Sequence, residues 1–291
     1  MSKAPMPVDT YFELRAKYLD VSAIEDERAR AAAMLQLNQD LKQCVERLFR
    51  MDLTDPHVCH AIGDAYATAR GVPSDKDEAA IWLRRAAEAD IPDAMVMFNG
   101  CVSRSGNAEA VAEGIRWLQR GAELGYPNAM VWLGFAYREG QGVEADHEQA
   151  VAWFIKAVEA GDLHATMHVG RMFAQYMDRP ADALPWFLKA AQAGRTESHI
   201  YLAWLYENPD SPVFSPMDAR KWYERVAQGD SGSAPRALLA LAKLHLSGRG
   251  LPTNLLLARQ WLKRLLSVVD EDSTYYKKAS TMLEKLADSM L

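Results

Sequence analysis

The chain has 291 residues, 49% of them apolar and 25% charged, and a net charge of −6. That composition suits a folded protein of ordinary surface. It offers no basic tract of the kind phosphate neutralisation requires, so nucleic acid is not an expected partner. No stretch approaches the 18 apolar residues of a membrane span, the first ten residues lack a signal-type apolar segment, and the three cysteines (Cys44, Cys59, Cys101) share no metal-ligand spacing, all of which points to a reduced cytoplasm.

Residues 1–56 open the chain with two expected helices. Asp9-Thr10 can cap a short one through Leu19. A longer one runs from Ser22 or Ala23 to Arg50, with Ile24, Leu37, Leu41, Val45, Leu48 and Phe49 at helical spacing. They are expected to form a hairpin that caps the apolar end of the array that follows, because a solenoid needs covered ends. A dimerisation or tethering helix is the functional alternative.

From residue 57 to 268 the sequence repeats itself. Trp82, Trp117, Trp153, Trp186, Trp222 and Trp261 recur at intervals of 35, 36, 33, 36 and 39 residues. Periods of this length mark stacked helical hairpins. About 24 residues before each Trp sits Val58, Ala94, Ala129, Ala165, Ser198 or Ala237. Four residues later comes an apolar one: Ile62, Phe98, Leu133, Val169, Leu202 or Leu241. A small residue usually follows: Gly63, Asn99, Gly134, Gly170, Ala203, Ala242. Three further on stands Tyr66, Val102, Tyr137, Phe173, Tyr206 or His245. Such spacing places all four positions on one face of a helix, called helix A. Glycines such as Gly140-Gln141-Gly142 and Gly248-Arg249-Gly250 are expected to end it. Asp75, Asp146 and Asn254 then cap helix B, which carries an Ala three residues before most of the tryptophans. The tryptophans are expected to be the buried core of the array.

The fifth repeat replaces the glycine turn with the proline-rich run Pro209–Pro216, expected as an exposed extended loop because helix is disfavoured before proline. Residues 269–291 are expected to form a final capping helix from about Ser273.

The pattern Ala-x3-Leu-Gly-x2-Tyr-x2-Gly-x-Gly-Val, then Ala-x2-Trp, then Ala-x2-Gly, resembles the Sel-one-like repeat (SLR) family, relatives of the tetratricopeptide repeats. The third repeat, Ala129 to Asp162, carries it throughout. The resemblance implies an all-α, right-handed superhelical α/α solenoid of six hairpins, with scaffolding and protein–protein binding as its role.

Chemistry-bearing motifs are sparse. His164 and His168 form an H-x3-H pair, but no glutamate follows the first and no third ligand is suggested, so no metal site is expected. The glycine pairs lie between helices and not between a strand and a helix, so they are turns and not phosphate loops. With no nucleophile, general base or cofactor motif, the chain is expected to be no enzyme and to bind no cofactor. In a superhelix of hairpins the A helices line the concave surface. Positions one or two before the central apolar residue, and two after it, should point there: His60 and Asp64, then Trp132 and Phe135, His168 and Arg171, Tyr201 and Trp204, and Lys243. Trp, Tyr and Arg are the residues most often found as binding hot spots, so the candidate partner site is Trp132, Phe135, His168, Arg171, Tyr201 and Trp204. The expected function is a cytoplasmic adaptor that holds a peptide or partner protein on that face. The alternative is an immunity-type or inhibitory protein that caps a toxin or enzyme.

Overall fold

Helix formation follows the caps. In the computed structural model, which describes residues 7–229, 232–248 and 251–289, Asp75 accepts hydrogen bonds from the backbone N–H groups of Asp77 and Glu78, Asp146 from Gln149 and Asn254 from Leu257. Each satisfies an otherwise orphaned donor of a first helical turn. Asp26, Asn107 and Ser215 cap three further helices in the same way.

The chain forms two compact units, Met1–Gly161 and Asp162–Leu291. The first contains α1 (Pro7–Ser22), α2 (Glu27–Leu48), α3 (Pro56–Thr68), α4 (Lys76–Ala87), α5 (Pro92–Val102), α6 (Ala108–Glu123), α7 (Pro127–Glu139) and α8 (His147–Glu159). The second contains α9 (Ala165–Arg171), continued by a π-helical segment (Met172–Tyr176), α10 (Pro180–Gln192), α11 (Glu197–Glu207), α12 (Pro216–Gln228), α13 (Ala234–Ser247), α14 (Leu255–Leu266) and α15 (Thr274–Ser289). No strand occurs among the described residues. Six A/B hairpins run from α3/α4 to α13/α14. In the first unit α1 packs on α2 and beside α3, and in the second α15 packs on α14 and beside α13.

Packing within a hairpin follows the repeated positions. Val58, Ile62, Ala94, Phe98, Ala165, Val169, Leu202, Ala237 and Leu241 are all fully buried. The helix-A glycine is required by close approach. A Cβ at Gly134 would stand 2.6 Å from the Phe154 ring, one at Gly170 2.7 Å from the Phe187 ring, and one at Gly63 2.7 Å from Leu83. The second hairpin inverts the arrangement. Asn99 occupies the glycine position of α5, and the glycine moves to α6, where a Cβ on Gly114 would lie 2.9 Å from the Asn99 side chain.

This geometry corrects the expected role of the tryptophans. All six are only partly buried, and the side chain that fills the A/B interface belongs to the next residue: Leu83, Leu118, Phe154, Phe187, Tyr223 and Leu262, each at most 2% exposed. An indole does not fit the narrow space over the glycine, where a Leu or Phe does. The indoles lie to the side, each under a cation three residues on in five of the six repeats. Lys156 Nζ is 3.9 Å from the Trp153 ring centre, and Arg85, Lys189, Arg225 and Arg264 sit likewise over Trp82, Trp186, Trp222 and Trp261. That spacing is one helical turn, so the cation covers its own repeat's tryptophan.

The turns follow one backbone rule with varied residues. The N–H of the residue capping helix B donates to the carbonyl of the aromatic-type residue in helix A, as from Asp75 to Tyr66, Asp146 to Tyr137, Ser215 to Tyr206 and Asn254 to His245. Gly140 ends α7 and Gly248 ends α13 in the left-handed conformation, whereas Ala69 does so for α3. Arg249 and Gly250 of the last turn lie outside the described residues. The fourth hairpin has no glycine at all in this turn and ends helix A with the π-helical segment instead. The Pro209–Pro216 run also departs from expectation. It folds into two successive turns (Ser211 N–H to Asn208 C=O, Phe214 N–H to Ser211 C=O), buries Ser211, and supplies Pro216 to the first turn of α12. Asn208 and Ser211 bond the local backbone through their side chains, which fixes the turns, while Pro209, Asp210, Pro212 and Phe214 are exposed as expected.

Candidate binding surface

In the first unit, Trp132 and Phe135 are one turn apart on α7. Trp132 is 40% exposed, and its ring meets Phe135 edge to face at 5.8 Å. Phe135 meets the buried Phe154 in the same way at 5.2 Å, and the Arg138 guanidinium lies 4.8 Å above its centre. Phe135 is thus a wedge anchored in its own hairpin, and Trp132 is the ring it holds toward solvent.

The A-helix face of the first hairpin is closed. His60 and Asp64, expected to line the surface, are buried beneath α1. The Tyr11 hydroxyl donates to Asp64 Oδ2 at 2.7 Å, Arg15 pairs with Asp64 at 3.2 Å, and the Phe12 ring packs 5.1 Å from His60. Burial and the Asp64 charge together push the Tyr11 hydroxyl far above its ordinary range, so it stays protonated and donating. The spacing that selects helix-A positions is blind to α1, because nothing in residues 1–56 repeats.

In the second unit, His168 and Arg171 on α9 converge with Tyr201 on α11 around a cleft of about 320 Å³, completed by His164, Met167, Arg195 and Glu197. Tyr201 is fixed by parallel stacking on Phe187 at 5.1 Å and 12°. The Arg195 guanidinium touches His164 Nε2, and Arg171 Nε makes a long bond of 3.4 Å to Gln175 Oε1. Neither arginine forms an ion pair among the described residues, and Glu197 is the one carboxylate in the lining. The cleft is therefore cationic, with an aromatic and a thioether wall. Trp204 is half-buried on α11 and does not line it. Arg195 escapes sequence reasoning because it stands in the connection before α11, outside the helical phase that selects the other residues.

Of the residues singled out as possible chemistry, His164 and His168 line the cleft and the cysteines lie elsewhere. No group of three His, Cys, Asp or Glu side chains is placed to hold a metal ion among the described residues. The three cysteines are buried free thiols whose pKa burial pushes up, the opposite of an activated nucleophile. No described helix is long and apolar enough to cross a membrane.

Comparison with known proteins places this architecture. A search of curated proteins finds no match. Among solved structures the chain is similar to a Sel1 repeat protein from Oxalobacter formigenes, with 22% identity, 93% of this chain and 100% of that one covered, and a TM-score of 0.58. It is also similar to PilF of Pseudomonas aeruginosa, with 19% identity, 78% and 97% coverage and a TM-score of 0.53. A weaker likeness is to the immunity protein Pa5087 of Pseudomonas aeruginosa, with 18% identity, 77% and 83% coverage and a TM-score of 0.42. The Sel1 repeat model matches residues 56–91, 109–126, 127–162, 178–194, 196–231 and 235–266. The pieces missing from the second and fourth matches are their A helices, where Asn99 replaces the glycine and where the π-helical segment replaces the turn. With six repeats over more than half its length, the chain belongs to the Sel1 repeat family.

Proposed function

We propose that this chain is a non-catalytic cytoplasmic scaffold that binds a peptide or partner protein through the exposed A-helix surface of each unit. Sel1 repeat proteins generally mediate protein–protein interaction. The observation that carries the reading here is the cleft of the second unit, where His168, Arg171 and Tyr201 come together from successive A helices, with Arg171 and Arg195 against the single carboxylate Glu197. Rigid aromatics and arginines give affinity at low ordering cost, and the stacked Tyr201 is already held. Trp132 supplies a separate anchor in the first unit.

The test begins with the whole chain as bait, to identify a partner by mass spectrometry, and continues with dissociation constants. Arg171→Ala and Trp132→Ala should each weaken the complex about tenfold or more, which is about 1.4 kcal/mol, with helicity unchanged. Arg259→Ala, exposed on α14, should leave it unaltered. Normal binding by both A-helix variants would refute the assignment.

A further inference from the structure

The last hairpin and α15 enclose a second concavity that the candidate site does not include. Glu207, Lys243, Leu244, Leu246, Ser247 and Met282 line a hollow of about 400 Å³. Lys243 and Met282 are shared with an adjoining hollow of about 440 Å³, lined otherwise by Lys277, Lys278 and Thr281. The two form one groove along α13 and α15. Its floor is apolar. Lys243, Lys277 and Lys278 stand exposed on its rim, and none of the three forms an ion pair among the described residues. The one carboxylate, Glu207, is engaged by the Tyr223 hydroxyl at 2.5 Å. Residues 243–291 carry eight basic and five acidic side chains in a chain of net charge −6, so positive charge is concentrated at this end. Lys243 also occupies the helical phase of Arg171 and Trp204, two and one hairpins further on respectively.

We infer that this groove is a docking site for an acidic amphipathic helix of a partner protein. The floor matches the apolar stripe of such a helix, and the three ammonium groups match carboxylates flanking that stripe. A concave groove receives a convex segment, which favours a helix over a flat anionic bilayer. The 16 residues of α15 set a matching length of about 24 Å. The inference rests on the proposed function's premise that the A-helix surface binds proteins, since Lys243 stands on helix A of the sixth hairpin, but it uses none of the residues of the cleft.

The probe is a fluorescent 16-residue peptide with leucines at helical spacing and glutamates on both flanks. Binding to the full chain is followed by anisotropy, beside a sequence-scrambled peptide of equal charge and vesicles containing phosphatidylserine. The expected result is saturable binding of the amphipathic peptide, at least tenfold weaker for the scrambled one. Lys277→Glu with Lys278→Glu should weaken it at least tenfold, and a lysine-flanked version of the peptide should recover affinity for that variant. Arg171→Ala should bind the probe normally, which separates failure here from failure of the cleft. Equal binding of the scrambled peptide, indifference to charge reversal, or binding to vesicles in place of the peptide would each overturn the inference. Met282→Asp, read against Met282→Leu, tests the floor independently: loss with the first and retention with the second is expected, and equal binding by both overturns an apolar contact.

Discussion

At the scale of single residues, the period is visible in the tryptophans but the packing is decided one position later. Phe154 faces a glycine across the A/B interface and is fully buried, whereas Trp153 is only partly buried, under Lys156. Phe154→Ala should therefore cost about 3–5 kcal/mol. Trp153→Ala should cost about 1–2 kcal/mol, from partial burial and the cation over its ring. Urea denaturation of the two variants checks the order, and a larger loss at Trp153 would restore the indole to the core. The same interface fixes the sign of glycine substitutions. Gly134→Ala gains about 1 kcal/mol of helix propensity but forces a Cβ within 2.6 Å of a ring that cannot move, and overpacking of about 1–3 kcal/mol outweighs the gain. At Gly100, also in helix A, nothing lies within 4 Å of the added Cβ, so Gly100→Ala should stabilise by about 0.5–1 kcal/mol. Opposite signs for one substitution at two mid-helix glycines are the expected outcome of thermal melts.

Two buried histidines give the fold a pH dependence. Desolvation holds His60 and His245 below the ordinary histidine value, against opposing attraction from Asp64 and Glu224 respectively. The unfolded chain takes up protons below about pH 6.5 and the folded chain resists doing so. Stability is therefore intact above that pH and declines as the medium is acidified, until the folded histidines themselves titrate. The urea midpoint should be lower at pH 5.5 than at pH 7.5. His245 has no hydrogen-bond partner among the described residues at either ring nitrogen, and it occupies a position held elsewhere by Tyr, Phe or Val. His245→Phe should raise stability by about 1 kcal/mol, by removing a buried unpaired polar group, and should reduce the loss on acidification. An unchanged pH slope would contradict this assignment.

At the scale of elements, the helices were legible because each hairpin shows its own apolar face and five of the six carry a side-chain cap, the fourth having none. Asp75, Asp146 and Asn254 cap as their positions imply. The turns were less legible, since a backbone rule can be met by several sequences. One hydrogen bond from the helix-B cap to helix A is served by a glycine turn at Gly140–Gly142 and by two proline-bearing turns at 208–215. In the third hairpin the glycine is nevertheless required. Gly142 has φ +71°, and a Cβ there would meet Val111 and Ile115 of α6 at 2.8 and 2.9 Å. The turn between α7 and α8 thus rests against helix B of the hairpin before it. Gly142→Ala should cost about 1–3 kcal/mol from left-handed strain and overpacking. Gly106→Ala, at φ +77° with open space around it, should cost less. Equal losses in chemical denaturation would mean that the contact with α6 contributes nothing.

At the scale of the molecule, the fold could be read from the period alone, because within each unit a repeat packs chiefly on its neighbours and needs no distant partner. The geometry of the proposed surface could be read only in part. Helical phase selected Trp132, Phe135, His168, Arg171, Tyr201 and Trp204, and it could not show that Trp204 stands outside the cleft, that α1 closes the equivalent face over His60 and Asp64, or that Arg195 enters from a connection. Those facts depend on non-repeating segments, which carry no period to read. The central claim is that partners dock on the exposed A-helix surface and not on helix B. The most direct measurement replaces Trp132, Arg171 and, on the outer side of α14, Arg259 singly with a photo-crosslinking phenylalanine, irradiates each variant in its native cells, and identifies what is captured. Cross-links to the same partner from positions 132 and 171, and none from 259, are the predicted result. Capture from 259 with silence at both 132 and 171 would contradict it.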